Sequence, residues 1–229
     1  IDSGSGDDDI YINSLATNEH ISFGQLNSDN ANVFSYGVYG SSFFTGSGDD
    51  SININASSVS LTRDLWGWES REIGLGQSEA VGLEKSTINT GSGDDKVEIS
   101  AYSFGTNTNS WAIRDSSIDT GIGNDTVILN ASDLAVSIGE AIEPAYGAVN
   151  SLINLGSGDD SLFINASGEA LSIGWSWDQS ALAAAYGVID STINAGSGND
   201  LININVSSTA NADNGWWGQS SQIAKSVGV

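Results

Sequence analysis

Apolar and polar residues alternate with period two in short runs along this chain, and the runs recur. "SININAS" (51–57), "KVEISAY" (96–102), "TVILNAS" (126–132), "SLFINAS" (161–167) and "LININVS" (201–207) each place an apolar or small residue at every second position. Alternation of this kind, rich in β-branched residues, predicts a strand with one buried face. Before each run stands a glycine turn. Near-copies begin at Gly4, Gly46, Gly91, Gly121, Gly156 and Gly196, reading GSGDD, GSGDD, GSGDD, GIGND, GSGDD and GSGND. The intervals between them are 42, 45, 30, 35 and 40 residues, which fits coils of one architecture with loops of varying length.

Counting from the first glycine as zero, apolar residues fall at positions 6 and 8: Ile10 and Ile12, Ile52 and Ile54, Val97 and Ile99, Val127 and Leu129, Leu162 and Ile164, Ile202 and Ile204. Another stands three positions before the glycine: Ile1, Phe43, Ile88, Ile118, Ile153 and Ile193. A third alternating patch is read from "ISFG" (21–24), "VSLT" (59–62), "VSIG" (136–139) and "LSIG" (171–174). Three short strands per unit predict an all-β fold, a parallel β-helix of about six coils of 30–45 residues. No coil buries its apolar face alone; stacked coils put like residues above like at about 4.8 Å and build one continuous core. Residues 1–229 read as a single solenoid domain, expected to be a slice of a longer repetitive protein because both ends stop within a repeat.

Charge changes the picture next. The chain of 229 residues has a net charge of −23, six Lys and Arg, and no Cys. So acidic a surface disfavours nucleic acid, which needs basic contacts to phosphate. No apolar run reaches the length of a membrane span, so membrane insertion is not expected. Hydrophobic content of 39% separates the chain from disordered acidic tails.

Where the acids sit is more telling. Glycine at positions 0 and 2 does not vary among the copies, as expected where backbone angles are closed to other residues. Position 3 is Asp or Asn (Asp7, Asp49, Asp94, Asn124, Asp159, Asn199), the pair that best tolerates left-handed backbone, so a conformational role is read there. Position 4 is always Asp: Asp8, Asp50, Asp95, Asp125, Asp160 and Asp200. A turn former alone would admit Asn, so position 4 needs charge. Stacked carboxylates repel unless cations stand between them. Calcium, which takes carboxylate and carbonyl oxygens at about 2.3–2.6 Å, suits such a column.

The motif resembles the hemolysin-type calcium-binding nonapeptide of RTX proteins, G-G-x-G-x-D-x-U-x, in "TGSGDDSIN" (45–53) and "TGIGNDTVI" (120–128). The resemblance implies a calcium site at each turn. It maps the family's second glycine to Gly4, Gly46, Gly91, Gly121, Gly156 and Gly196. The later glycine maps to Gly6, Gly48, Gly93, Gly123, Gly158 and Gly198. The ligand aspartate maps to the six position-4 residues. It departs at the first glycine, which is Ser3, Thr45, Thr90, Thr120, Leu155 or Ala195, and in having one motif for each large coil. The family also implies secretion, with calcium driving folding outside the cell.

Other features carry less. Trp66 and Trp68, Trp175 and Trp177, and Trp216 and Trp217 fall late in their units, where an aromatic edge could bind glycans or close the wide end of the core. Tyr-Gly pairs at Tyr36, Tyr146 and Tyr186, with Trp111 in the shortest coil, read as packing. Asn55, Asn130, Asn165 and Asn205 all stand at position 9, read as a stacked amide ladder in preference to glycosylation. With one histidine, His20, and scattered basic residues, no catalytic constellation is read and an enzyme is not expected. The expected function is a calcium-stabilised extracellular structural module of a surface protein, matrix fibre or adhesin stalk. End-to-end assembly through open strand edges stays open. A glycan-binding module using the Trp-rich edge is the alternative, and a β-helix polysaccharide lyase or epimerase the third.

Overall fold

A computed structural model describes residues 1–22, 32–66, 69–73, 76–137, 140–173, 178–212 and 219–228; the side chains of 20–22, 62–66, 69–73, 178–179 and 219–220 are outside the description. Its eighteen strands, numbered in chain order, form three sheets. The long sheet contains β1 (Asp9–Ser22), β4 (Ser51–Trp66), β8 (Lys96–Gly105), β11 (Thr126–Ser137), β14 (Ser161–Ser172) and β17 (Leu201–Ala212) in that order. The narrow sheet contains β3 (Ser42–Phe44), β7 (Thr87–Asn89), β10 (Ser117–Asp119), β13 (Leu152–Asn154) and β16 (Thr192–Asn194). The return sheet contains β2 (Val33–Tyr39), β6 (Gln77–Glu84), β9 (Asn107–Arg114), β12 (Glu140–Val149), β15 (Asp178–Ile189) and β18 (Gln219–Val227). Pairing within each sheet is parallel, except that β5 (Glu69–Ile73) folds back antiparallel on the end of β4. This is the expected parallel β-solenoid.

The register is set by the apolar columns. Ile52 pairs with Ile10 and Val97, Val127 with Val97 and Leu162, and Leu162 with Ile202. Ile54, Ile99, Leu129 and Ile164 form the adjoining column, each fully buried. A slip of one residue would turn these side chains to solvent, so the pattern fixes the stacking. Each such side chain contributes roughly 1.5–3 kcal/mol by leaving water. Phe43, Ile88, Ile118 and Ile153 on the narrow sheet close the same core. Opposite them, the glycines of the Tyr-Gly pairs and the matching Gly82, which follows Val81, face inward; a Cβ on Gly37, Gly82, Gly147 or Gly187 would overlap the Cγ2 of Ile54, Ile99, Ile164 or Ile204. Away from the glycine turns the interior becomes small and polar: Ser58 and Ser78 hydroxyls meet at 2.6 Å, and Ala135, Ala141, Ala170 and Ala181 pack together.

Two expectations are corrected. The patches at 59–62, 136–137 and 171–172 are not a separate strand but the ends of β4, β11 and β14. The long strands run farther than the apolar pattern because their later inward positions hold Ser and Ala. The third sheet lies instead in the segment carrying the Tyr-Gly pairs. Those aromatic rings do not enter the core. Trp111, Tyr146 and Tyr186 stack face to face on the outer surface of the return sheet, with ring centres 5.3 and 5.1 Å apart and Arg114 over Trp111.

The left-handed column is the second correction. Among the described residues, positive φ outside glycine occurs at Lys85, Asp115, Asn150 and Asp190 (47–51°), with Gly40 in the same place one coil earlier. They turn the chain from the return sheet into the narrow sheet. The position-3 Asp and Asn residues are not left-handed.

Candidate metal column at the glycine turns

The turn joins the narrow sheet to the long sheet, and all six copies stack. Ser5, Ser47, Ser92, Ile122, Ser157 and Ser197 bridge in sequence. The first glycines have φ of 87–97° and the second 112–145°, values closed to side chains. Main-chain bonds run through the column: Ile122 N donates to Gly91 O and Gly93 N to Ile122 O, both at 2.9 Å, with equivalents in the other coils. The carbonyl of each first glycine from Gly4 to Gly156 is therefore engaged by the coil that follows it, although the resemblance would offer it to a metal.

Position 3 explains its own tolerance. Asp7, Asp49, Asp94, Asn124 and Asp159 each accept, through Oδ1, the N–H of the matching residue one coil later, at 2.8–3.0 Å. Asn serves as well as Asp because only that oxygen is needed; where Asn stands, at Asn124 and Asn199, its Nδ2 donates back to Asp94 and Asp159 Oδ1 at 3.2 and 3.1 Å.

Position 4 points the other way. Asp50, Asp95, Asp125, Asp160 and Asp200 accept through Oδ1 the N–H of the matching Asp one coil earlier, at 2.8–3.1 Å. These carboxylates are sealed: Asp50, Asp95, Asp125 and Asp160 are 1–2% exposed. The second oxygen, Oδ2, of Asp8, Asp50, Asp95, Asp125 and Asp160 is buried with no hydrogen-bond partner. Burial accordingly pushes the Asp125 carboxyl up to about 6, against the pull of the Asp95 N–H, and raises Asp95 and Asp160 for the same reason. Neighbouring carboxylates in the column add to the rise.

The residue in place of the family's first glycine has a role that the sequence reading missed. Thr45, Thr90 and Thr120 are fully buried and donate through Oγ1 to the carbonyl one coil later, at 3.1, 2.9 and 2.7 Å. A recurring buried Thr beside the motif was the available signal. A second ladder was also missed: the N–H of Ser41, Ser86, Ser116 and Ser151 donates to the hydroxyl of the matching Ser one coil later. The Asn ladder holds for three of the four residues: Asn165 Nδ2 donates to Asn130 Oδ1 at 2.9 Å and Asn205 Nδ2 to Asn165 Oδ1 at 3.1 Å, whereas Asn55 Nδ2 donates to Asn53 Oδ1 of its own strand at 2.7 Å.

The donor chemistry of the column fits a hard cation: carboxylate oxygens, dry and unpartnered, one per coil. Among the described residues no three acidic side chains converge on one point, so the donors form a line rather than a cluster. The side chains of Trp66, Trp68, Trp175, Trp177, Trp216, Trp217 and His20 lie outside the described residues. Among the described residues, no helix is long and apolar enough to cross a membrane. Comparison of the chain with protein-family models, with curated proteins and with solved structures returns no match.

Proposed function

We propose that this chain is a calcium-stabilised structural repeat module of an extracellular protein, a stalk or fibre segment and not an enzyme. One observation carries the reading: five consecutive position-4 carboxylates each bury an oxygen with no partner. A buried charge without a counter-charge is strongly unfavourable. Calcium held by Asp8, Asp50, Asp95, Asp125, Asp160 and Asp200 would supply positive charge where the column lacks it. The resemblance of the turns to the hemolysin-type motif supports the same ion. Because the carboxylates are brought together only by stacking, the ion binds the folded state, and each site adds roughly 2.7 kcal/mol at a hundredfold excess over its dissociation constant. Folding gated by the ion suits a protein exported unfolded. Edge strands at both ends of the three sheets support pairing with further coils or copies. The described aromatic row gives a glycan little purchase, since the Trp111, Tyr146 and Tyr186 ring faces are spent on one another.

The test is a calcium titration of chelator-treated protein followed by far-UV circular dichroism and thermal unfolding. Wild type should gain β signal and stability with calcium, and Asp95→Asn with Asp125→Asn should blunt the gain. Equal folding in chelator and calcium would overturn the reading.

A further inference from the structure

Two acids lie inside the fourth coil, away from the glycine turns. Asp133 on β11 and Glu143 on β12 face inward from the long and return sheets and are 3% and 1% exposed. The residues paired with them are small and neutral: Ser103 and Gly168 beside Asp133, and Ala183 beside Glu143. In the second coil the two sheets meet through hydroxyls instead, Ser58 and Ser78 at 2.6 Å. The two acids of the fourth coil turn apart. Asp133 Oδ2 reaches the third coil and accepts the Ser110 N–H at 2.9 Å. Glu143 leans on the fifth coil, where Gly168 leaves it room: a Cβ there would stand 2.5 Å from Glu143 Oε1.

Neither acid has a counter-charge. Asp133 Oδ1 and both oxygens of Glu143 are buried with no hydrogen-bond partner. The inward residues of β9 beside them, Thr108 and Ser110, are neutral. The titratable groups that act on the pair from the surrounding strands are themselves acidic: Glu169 on β14, Tyr102 on β8 and Tyr146 on β12. Among the described residues the basic side chains are engaged elsewhere, Lys85 by Glu84, Lys96 by Glu98, Arg114 by Glu79 and Glu84, and Lys225 by the Tyr186 ring. A carboxylate in so dry a place is strongly unfavourable, so each group keeps its proton. The strands that seal them are also lightly held. Beyond the pair the core is Ala135, Ala141, Ala170 and Ala181, which bury little apolar surface.

We propose that the fourth coil is a pH-sensitive opening point of the solenoid: Asp133 and Glu143 are sealed inside only as uncharged acids, and rising pH opens the strands that cover them. Burial raises Asp133 well above the carboxylate range, against the pull of Ser110, and Glu143 to about 9, with the Asp133 charge adding to the latter. Both folded values exceed those of an exposed carboxyl, about 4. The sealed form therefore binds protons that the open form releases. Its stability is fullest below about pH 4 and is lost steadily as pH rises toward 9, so the neutral range lies on the slope. The device shares no residue with the glycine turns and does not depend on their taking an ion.

The experiment is amide hydrogen exchange read by mass spectrometry between pH 6 and pH 8.5, corrected for the intrinsic rate. Calcium chloride is present throughout; it folds the chain under the reading above and is inert if the turns take no ion. In wild type, protection of β12 and the end of β11 should fall about tenfold per pH unit for each acid that opening exposes. The narrow strands β10 and β13 should keep their protection. Asp133→Asn with Glu143→Gln replaces each acid by a neutral group of its own shape, so it should fold and lose the slope. Asp125→Asn, which touches the turn column alone, should leave the slope in β12 unchanged. A flat profile in wild type, a loss shared equally by all three sheets, or the same slope in the double variant would overturn the proposal. If the double variant fails to fold, Glu143→Gln alone decides: its slope in β12 should be smaller by about tenfold per pH unit, and an unchanged slope refutes the device.

Discussion

Gly123→Ala tests whether the turn glycines are required by backbone angle alone or by the stacking of coils. Gly123 has φ of 145°, and a Cβ there would lie 2.5 Å from the Gly93 carbonyl carbon and nearer still to its oxygen. Gly6 occupies the same position of the motif with φ of 112°, yet a Cβ there meets nothing within 4 Å. Both substitutions carry the conformational penalty, about 1 kcal/mol. Only Gly123→Ala must also push the third and fourth coils apart by about 1 Å. That stretches the bonds from Gly93 N to Ile122 O and from Ile122 N to Gly91 O, both 2.9 Å. Losing two such bonds costs about 2 kcal/mol. In a stacked array the damage falls on one nearest-neighbour interface. Thermal unfolding by circular dichroism should therefore fall by roughly 6–12 °C for Gly123→Ala and roughly 2–4 °C for Gly6→Ala. Equal losses would refute the close-approach argument and leave only the backbone angle.

The remaining predictions address charge, core and ladders. The Asp125 carboxyl is raised on folding to about 6, so its charge opposes the fold: stability is fullest below the unfolded value near 3.8 and is lost as pH rises through 6. In chelator, thermal unfolding at pH 5 should exceed that at pH 7.5, and Asp125→Asn should flatten this trend. Leu129→Ala empties a fully buried position between Ile99 and Ile164 and should lose about 2–5 kcal/mol in urea unfolding. Asn150 has φ of 47°, so Asn150→Val should lose about 1–2 kcal/mol while Asn150→Gly is tolerated, both read by the same unfolding curves. Asn165→Asp removes the donor to Asn130 Oδ1 and sets a carboxylate against it, for a loss of about 1 kcal/mol that shrinks at acid pH.

The chain alone determined the period, the phase and the buried columns. Ile52, Ile99, Leu129 and Ile164 could be placed inside from alternation, because a side chain's face follows from the period of two. The glycine turns and the Asn ladder from Asn130 to Asn205 were equally legible, since repetition in register is itself a record of what stacks on what. Tertiary structure decided the rest. The third sheet escaped because its inward face is largely Ser, Ala and Gly, with single apolar residues such as Val38, Leu83 and Ile113 near its end, so alternation carries little signal there. The left-handed corner at Lys85, Asp115, Asn150 and Asp190 escaped because three different residue types fill it and one of them is lysine. Positions 3 and 4 differ in sequence only in that position 3 admits Asn, but alternation aims one oxygen toward the next coil and the other toward the coil before. Only the second is sealed from water. Nothing in the sequence sets Asp133 and Glu143 apart from the other acids of a chain of net charge −23. Their burial depends on Gly168 and on the strands that cover them, and a contact between two sheets leaves no periodic trace in the sequence.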